Sequence, residues 1–159
     1  MDMGKISNVL RYLILNYPYE RDLSKTRVTK MVYLADWYYS LKYYKQITDI
    51  KWYFDHYGPY VPDVFEAALD DDYLKIKKSK SLYGNTKRQI ILNEKCKDDV
   101  QIQLVDKEKK VLDKVIEDTK NLTWRAFITK IYETYPIREG MKYKHLNLVE
   151  CAKKLNLNK

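Results

Sequence analysis

Asp36, Asp55 and His56 are the residues whose types and positions come closest to acid–base chemistry in this sequence. Asp36 stands within an otherwise apolar stretch, and Asp55 and His56 directly precede a turn that contains glycine and proline. A carboxylate near an imidazole can transfer protons, but buried charges survive in folded proteins mainly when polar groups hold them. We therefore expect Asp36 to form a structural pair with His56 or with a tyrosine hydroxyl.

Other signatures of catalysis are missing from the sequence. It has no GxGxxG, no GxxxxGKS or GxxxxGKT, no HExxH and no GxSxG motif. Cys96 and Cys151 lie far apart without a CxxC partner, and only His56 and His145 could complete a metal site with them. This argues against a zinc site and against a disulfide framework. We expect a protein that is not an enzyme, that uses no cofactor or metal, and that has two free thiols.

The length of 159 residues suits one domain with a substantial core. The sequence has no run of 18 apolar residues, and its first residues carry Asp2 and Lys5 without a small-residue cleavage site. These features predict neither a membrane span nor a signal peptide. We expect a single domain over residues 1–159, located in the cytoplasm and not bound to a membrane.

The formal net charge of +8 is unevenly distributed along the chain. Between residues 75 and 97, eight lysines and arginines stand against one glutamate, whereas residues 1–74 have nine basic and eleven acidic residues. Such asymmetry points to an acidic partner, which would be either a nucleic acid or the acidic face of another protein. A solvated lysine-rich surface explains the same charge equally well.

Apolar periodicity predicts the elements that would position these groups. Residues 6–17 have helical spacing and precede Pro18, and Ser24 can cap a second helix over about residues 25–43. That second helix is apolar on nearly every side, so it should be central and buried. The same spacing predicts three further helices: one after Asp106, one from a Thr123 cap to Pro136, and one over about residues 146–155.

Residues 73–93 predict a β-hairpin, because Leu74 and Ile76 alternate with lysines before Gly84 and Asn85, and Ile90 and Leu92 recur at every second position after them. The expected fold class is therefore mainly α: a single compact helical domain with a small β-hairpin. The outer face of the hairpin would carry six basic side chains, which are Lys75, Lys77, Lys78, Lys80, Lys87 and Arg88. Their charge, on strands with edges free to pair, makes this face the first candidate for partner binding.

An aromatic cluster around Trp52, Tyr57 and Tyr60 is the second candidate for partner binding. Sixteen tyrosines and many lysines also fit base stacking on a nucleic acid, but most of the tyrosines fall in predicted helices or near a turn. We therefore rank nucleic acid below protein as a partner.

The segment HYGPYVPDVFEAAL, residues 56–69, concentrates one glycine and two prolines. Gly58 can adopt a positive φ, Pro59 restricts φ, and Pro62 suits the first position of a helix. We expect a sharp turn that begins a helix, preceded by a short extended segment over residues 47–57.

Two stretches of the sequence resemble the Panacea domain of SocA-like antitoxins and phage-associated proteins. They are KMVYLADWYY at residues 30–39, followed by QIT at 46–48, and YFDHYGPYVPDVFEAAL at 53–69. Residues 109–127 also correspond to a helix of that family, whereas the stretch IYETYPI at 131–137 lacks the histidine of the family pattern. The motif residues should first of all build the fold; they are Lys30, Tyr33, Ala35, Asp36, Trp37, His56, Gly58, Pro59 and Pro62.

The resemblance implies a cytosolic antitoxin that neutralises a co-encoded protein toxin by direct contact. It also implies, for some members, an adaptor that delivers the toxin to a protease, so a protease or a chaperone is a further expected partner. Two other classes stay open. One is a nucleic-acid-binding regulator, which the basic hairpin favours, and the other is a phage or host-defence interaction protein on the same scaffold.

Overall fold

The computed structural model describes residues 3–80 and 83–157. Residues 81 and 82, which belong to the predicted hairpin, lie outside the described part, as do residues 1–2 and 158–159 of the expected domain. The α-helices are α1 Met3–Asn16, α2 Lys25–Tyr43, α3 Asp63–Leu69, α4 Asp106–Thr119, α5 Trp124–Glu133, α6 Tyr135–Arg138 and α7 Leu148–Leu157. The strands are β1 Phe54–Asp55, β2 Gly58–Pro59, β3 Leu74–Lys80 and β4 Thr86–Leu92. Short 3₁₀ helices cover Glu20–Asp22 and Glu94–Asp99.

Helix α2 lies at the centre of the fold. It contacts α1, α3, α4, α7 and β4, and 13 of its 19 residues are buried. The Ser24 hydroxyl caps it by accepting a hydrogen bond from the Arg27 N–H at 3.2 Å. Met31, Val32 and Ala35 are at most 1% exposed. The prediction of a buried central helix is confirmed, because a helix that is apolar all round can hide its surface only by packing on several sides.

The other helices follow the predicted order, with small differences at their ends. Thr123 caps α5 as expected, since its hydroxyl accepts from the Ala126 N–H at 3.2 Å. Helix α5 ends at Glu133, and Pro136 lies in the first turn of the separate short helix α6. A proline suits the first turn of a helix, where its missing N–H would have no partner, so Pro136 follows α5 as expected but also fits the start of α6.

Strands β3 and β4 form the predicted antiparallel hairpin, with Leu74 opposite Leu92 and Lys80 opposite Thr86. This confirms the mainly α architecture with a small hairpin. The edges of the hairpin are not all free, however. The Ile90 N–H donates to the Leu23 carbonyl oxygen at 2.9 Å, so the chain that leads into α2 covers part of the outer edge of β4.

A second, very short hairpin forms the turn around Gly58. Strand β1 pairs with β2, so that Phe54 lies opposite Pro59 and Asp55 opposite Gly58. Gly58 has a φ of +102°, which confirms the expected positive φ. Pro62 directly precedes α3 with a φ of −73° rather than occupying its first position. The segment 47–57 forms a strand only at β1, because most of it crosses the core as irregular chain.

Candidate functional site

The six basic side chains of the hairpin lie on two opposite faces. Residues directly opposite in an antiparallel ladder share a face, and successive residues alternate. The register places Lys78, Lys80 and Arg88 on one face and Lys75, Lys77 and Lys87 on the other. The expectation of one outer face that carries all six is wrong, because the adjacent pair Lys77-Lys78 cannot point in the same direction from a pleated strand.

The two faces also differ in what they contact. Lys87 Nζ donates to the Arg21 carbonyl oxygen at 3.0 Å, and Lys77 Nζ lies 3.7 Å from a carboxylate oxygen of Glu20. The three basic side chains of the other face are exposed near the tip of the hairpin and form no ion pair within the described part of the chain. We call that face, Lys78, Lys80 and Arg88, the tip face.

A depression of about 360 Å³ connects the hairpin with the beginning of α2. Its lining residues are Ser24, Lys25, Thr26, Asn85, Thr86, Lys87 and Arg88. Thr26 also lines two neighbouring pockets. One of them contains Arg21, Lys87 and the half-exposed Trp124. The basic residues of β4 and of α2 therefore meet along one surface, which the sequence alone did not indicate.

The other neighbouring pocket, of about 300 Å³, lies at the Gly58 turn, and we call it the turn pocket. Its lining residues are Lys25, Thr26, Lys30, Asp55, His56, Tyr57 and Tyr60. Tyr57 is 75% exposed and Tyr60 is half-buried. His56 is exposed, and its Nδ1 lies 3.1 Å from the Tyr143 hydroxyl. Tyr57 and Tyr60 therefore do form an accessible aromatic surface.

Trp52 does not belong to that surface. It is fully buried, and its indole N–H donates to Asp36 Oδ2 at 2.9 Å. Its ring packs edge-on against Tyr33, with the two centroids 5.6 Å apart. The expectation that Trp52 contacts a partner is therefore wrong. The chain before the turn runs inward at this residue, because the indole fills the core while its N–H finds a carboxylate.

Asp36 is completely buried, and residues 46–52 supply its hydrogen-bond donors. Oδ1 accepts from the Thr48 N–H at 2.9 Å, and Oδ2 accepts from the Thr48 hydroxyl at 2.5 Å and from the Trp52 indole. Gln46 Nε2 lies 3.4 Å from Oδ2. Burial raises the pKa of Asp36 to about 6, while the hydrogen bonds from Thr48 and Trp52 oppose that shift.

The expected partners of Asp36, His56 or a tyrosine hydroxyl, are therefore wrong. His56 faces solvent instead, and the donors come from the segment that begins with Gln46 and Thr48. That segment is the QIT stretch that resembled the family pattern, so the sequence did hold a signal. The arrangement fastens residues 46–52 to α2 and places no second titratable group of the described residues against the carboxylate.

The remaining motif residues join α2 to the turn. Ala35 and Trp37 are buried, and the Tyr33 hydroxyl lies 2.8 Å from Thr134 Oγ1. Lys30 Nζ donates to the Pro59 carbonyl oxygen at 3.3 Å. A Cβ atom at Gly58 would lie 3.6 Å from the Tyr132 ring, which is an ordinary contact, so the positive φ rather than crowding explains the glycine.

Lys30 is the most unusual of these residues. Its side chain is almost fully buried, at 2% exposure, yet it lines the turn pocket. Burial lowers the pKa of Lys30 to about 8, and the charge of Asp55 opposes this shift only in part. The sequence contained a signal for it, since a lysine stands within an otherwise apolar helix.

Arg27 is a second buried cation, which no sequence pattern had singled out. Its Nη2 donates to the carbonyl oxygens of Thr119 and Leu122 at 2.9 and 3.0 Å. Its guanidinium lies over the Phe127 ring, 4.6 Å from the centroid. Its Nε has no hydrogen-bond partner among the described residues. Those carbonyls lie at and just after the end of α4, where the helix dipole is negative, so the charge of Arg27 stabilises that end of α4.

Within residues 3–80 and 83–157, no group of three or more His, Cys, Asp and Glu residues could hold a metal ion. Cys96 and Cys151 are free and half-buried. In the same part of the chain, no helix is both long and apolar enough to cross a membrane.

Comparison with protein families gives a match to a family model described as antitoxin SocA-like, Panacea domain, over residues 28–136. No curated protein and no solved structure matches the chain significantly. The matched residues include nearly all of α2, the Gly58 turn, the hairpin, α4 and α5. Since this match covers well over half of the chain, the protein belongs to the SocA-like antitoxin family with a Panacea domain.

Proposed function

We propose that this protein is an antitoxin that neutralises a co-encoded protein toxin by direct contact in the cytoplasm. The observation that carries the proposal is the family match over residues 28–136. The protein acts by binding and has no hydrolase, transferase or nuclease activity of its own, and in an adaptor role its further partner is a protease or chaperone.

The tip face and the adjoining depression are the surfaces that best suit such a toxin. Lys78, Lys80 and Arg88 project from the hairpin without an ion-pair partner in the described residues. An acidic patch on a toxin would be attracted to them, which accelerates association more than it strengthens the final complex. This refines the hairpin hypothesis to one of its two faces.

The test is co-expression with the neighbouring reading frame, followed by measurement of growth rescue and of binding between the purified proteins. Reversal of the tip face to glutamate should slow association about tenfold at low salt and leave the thermal melt nearly unchanged. For a match in charge, the single variant Lys80→Glu is compared with Lys75→Glu on the opposite face; the former should slow association and the latter should have little effect. Equal rates for both variants would exclude the tip face, and failure of the wild-type protein to bind or rescue would exclude the proposed function.

Nucleic-acid binding is the second candidate, and the basic depression favours it. Lys25, Lys87 and Arg88 line the depression beside hydroxyl groups, and Trp124 is 49% exposed in the pocket next to it. Cations can contact phosphates, and an exposed aromatic ring can stack on a base. A steep loss of DNA or RNA affinity with rising salt would support this function over toxin binding, whose affinity should depend on salt only weakly.

A further inference from the structure

Lys30 is a buried cation whose hydrogen-bonding capacity is largely unused. An ammonium group has three donors. Among the residues that the structure describes, the Pro59 carbonyl oxygen is its one acceptor, at the long distance of 3.3 Å. No carboxylate of those residues forms an ion pair with it. Asp55 lies close enough for its charge to act on Lys30 but forms no ion pair with it, so the ammonium group lacks a directly bound carboxylate among the described residues.

Lys30 is also one of the residues that line the turn pocket. The pocket holds about 300 Å³ and is lined by other side chains of α2 and by those of the Gly58 turn. Lys25 adds a second positive charge, and its Nζ lies 5.9 Å from the centroid of the Tyr60 ring. Tyr57 and Tyr60 form aromatic walls, which suit the apolar stem of a side chain better than a bare ion.

We propose that the turn pocket is a carboxylate-binding site that takes an aspartate or glutamate side chain of the toxin, with Lys30 as its charged anchor. This rests on the proposed antitoxin function and adds the chemical group that the antitoxin recognises. The incoming carboxylate would supply the direct ion-pair partner that Lys30 lacks, in a buried position where a charge-assisted hydrogen bond is strong.

A carboxylate fits this pocket better than a phosphate group does. Asp55 lines the same pocket, so its carboxylate lies next to the ligand, and its Oδ1 accepts from the His56 N–H at 2.8 Å. A dianion would be repelled by Asp55 more strongly than a monoanion would. Lys25 and Lys30 together balance Asp55 and one further negative charge, which is the charge of a single carboxylate.

The first experiment uses the isolated protein and acetate as the probe. The Cε–Hε resonance of Lys30 is followed in ¹³C-labelled protein and assigned by its absence from the Lys30→Met spectrum. Acetate should shift this resonance saturably and raise the pKa of Lys30 above its value of about 8. The groups that surround Lys30 and are followed in the same titration are Lys25, Asp55, His56, Tyr57, Tyr60 and Tyr132.

The controls for this experiment are sodium chloride at the same ionic strength and inorganic phosphate. Chloride should not reproduce the saturable shift, and phosphate should bind more weakly than acetate at equal concentration. The proposal is overturned when the Lys30 resonance does not respond to acetate, or responds equally to chloride, because screening alone would then explain it. Tighter binding of phosphate would overturn the assignment of a carboxylate.

The second experiment measures affinity for the toxin. Lys30→Met should weaken it at least about thirtyfold, since truncation of one partner of a buried charge pair has effects of that size. Lys42→Met is the matched control, because it makes the same change at an exposed position of α2 and should leave the affinity unchanged. The thermal melt of Lys30→Met separates lost binding from lost folding, and Lys30→Arg restores the charge in a second variant.

The two experiments separate this inference from the antitoxin function itself. Acetate binding without any toxin binding by the wild-type protein would overturn the toxin as the partner while the carboxylate site stands. Toxin binding that Lys30→Met leaves unchanged would overturn the anchor role of Lys30 while the antitoxin function stands. Peptides can compete with the toxin for the pocket. If only a peptide with a free C-terminal carboxylate displaces the toxin, the choice of an acidic side chain is overturned.

Discussion

Asp36 and Lys30 are two buried ionisable groups on the same helix, and their surroundings differ sharply. They are six residues apart, which corresponds to about 9 Å along α2. Asp36 accepts hydrogen bonds from the Thr48 backbone, the Thr48 hydroxyl and the Trp52 indole. Lys30 has the single carbonyl acceptor of Pro59 within the described residues. One charge is saturated by its own chain, whereas the other faces an open pocket.

This contrast suggests two roles for a buried charge, which are to stabilise the fold or to bind a partner. The number of hydrogen bonds that the charge forms within its own chain distinguishes these roles. A saturated group contributes to stability because its loss leaves several donors buried without an acceptor. An unsaturated group weakens the isolated protein, since its dehydration is not compensated. Both residues belong to the stretch KMVYLADWYY, so under our proposal that stretch combines a structural charge with a charge that binds a partner.

The largest effect should follow the loss of the saturated charge. Asp36→Ala leaves the donors of Thr48 and Trp52 buried without a partner, which should lower the free energy of unfolding by about 3–5 kcal/mol. Urea denaturation measures this change. Glu133→Ala removes an exposed carboxylate and is the matched control, with an expected change within about 0.5 kcal/mol. Similar stabilities for the two variants would remove the structural role assigned to Asp36.

Gly58→Val should have the next largest effect on stability. The same turn also places the Pro59 carbonyl oxygen, which accepts from Lys30. A β-branched residue resists the φ of +102°, so we expect a loss of about 1–3 kcal/mol in thermal or chemical melts. Gly84→Val is the matched control, since it imposes a similar backbone strain, at a φ of +80°, in the β3–β4 hairpin instead of the Gly58 turn. Only the Gly58 variant should move the Lys30 resonance. An unchanged melt with lost toxin binding would make the turn a contact surface instead.

Lys30→Met should have a smaller effect, of opposite sign. It replaces an unsaturated buried ammonium with an apolar side chain of similar length, so the free energy of unfolding at pH 7 should stay constant or rise by about 1–2 kcal/mol. The folded pKa of about 8 lies below the unfolded value, so the unfolded chain holds more protons between about pH 8 and 10. Wild-type stability should therefore rise with pH across this window relative to the variant. A destabilised Lys30→Met protein without this pH dependence would show that Lys30 is saturated after all.

The smallest effect on stability is expected for the tip face. Glutamates at Lys78, Lys80 and Arg88 should change the melting temperature by less than the other variants do, since these side chains are exposed and unpaired in the described structure. Thermal denaturation by circular dichroism measures this. A large loss would mean that the tip face helps to hold the hairpin, and its role in association would then need a different test.

The helices and their ends were largely predictable from the sequence, because their causes are local. The Ser24 and Thr123 caps lie within three residues of the groups they bind, and the apolar residues of α2 predicted its burial directly. The positive φ of Gly58 was likewise predictable from residue type. The two faces of the β3–β4 hairpin could also have been derived, since strict alternation separates Lys77 from Lys78.

The partners of the buried groups, in contrast, depend on how distant segments pack. Asp36 meets Thr48 and Trp52, 12 and 16 residues further along the chain, and Lys30 meets Pro59, 29 residues away. Residue type predicts that a buried carboxylate needs donors, but not which of many serines, threonines, tyrosines and indoles will supply them. Local patterns were therefore enough to predict the helices, the turn and the family. Only packing brought Trp52 into the core, saturated Asp36 and opened Lys30 onto a pocket, because these outcomes depend on distances between segments that no local pattern encodes.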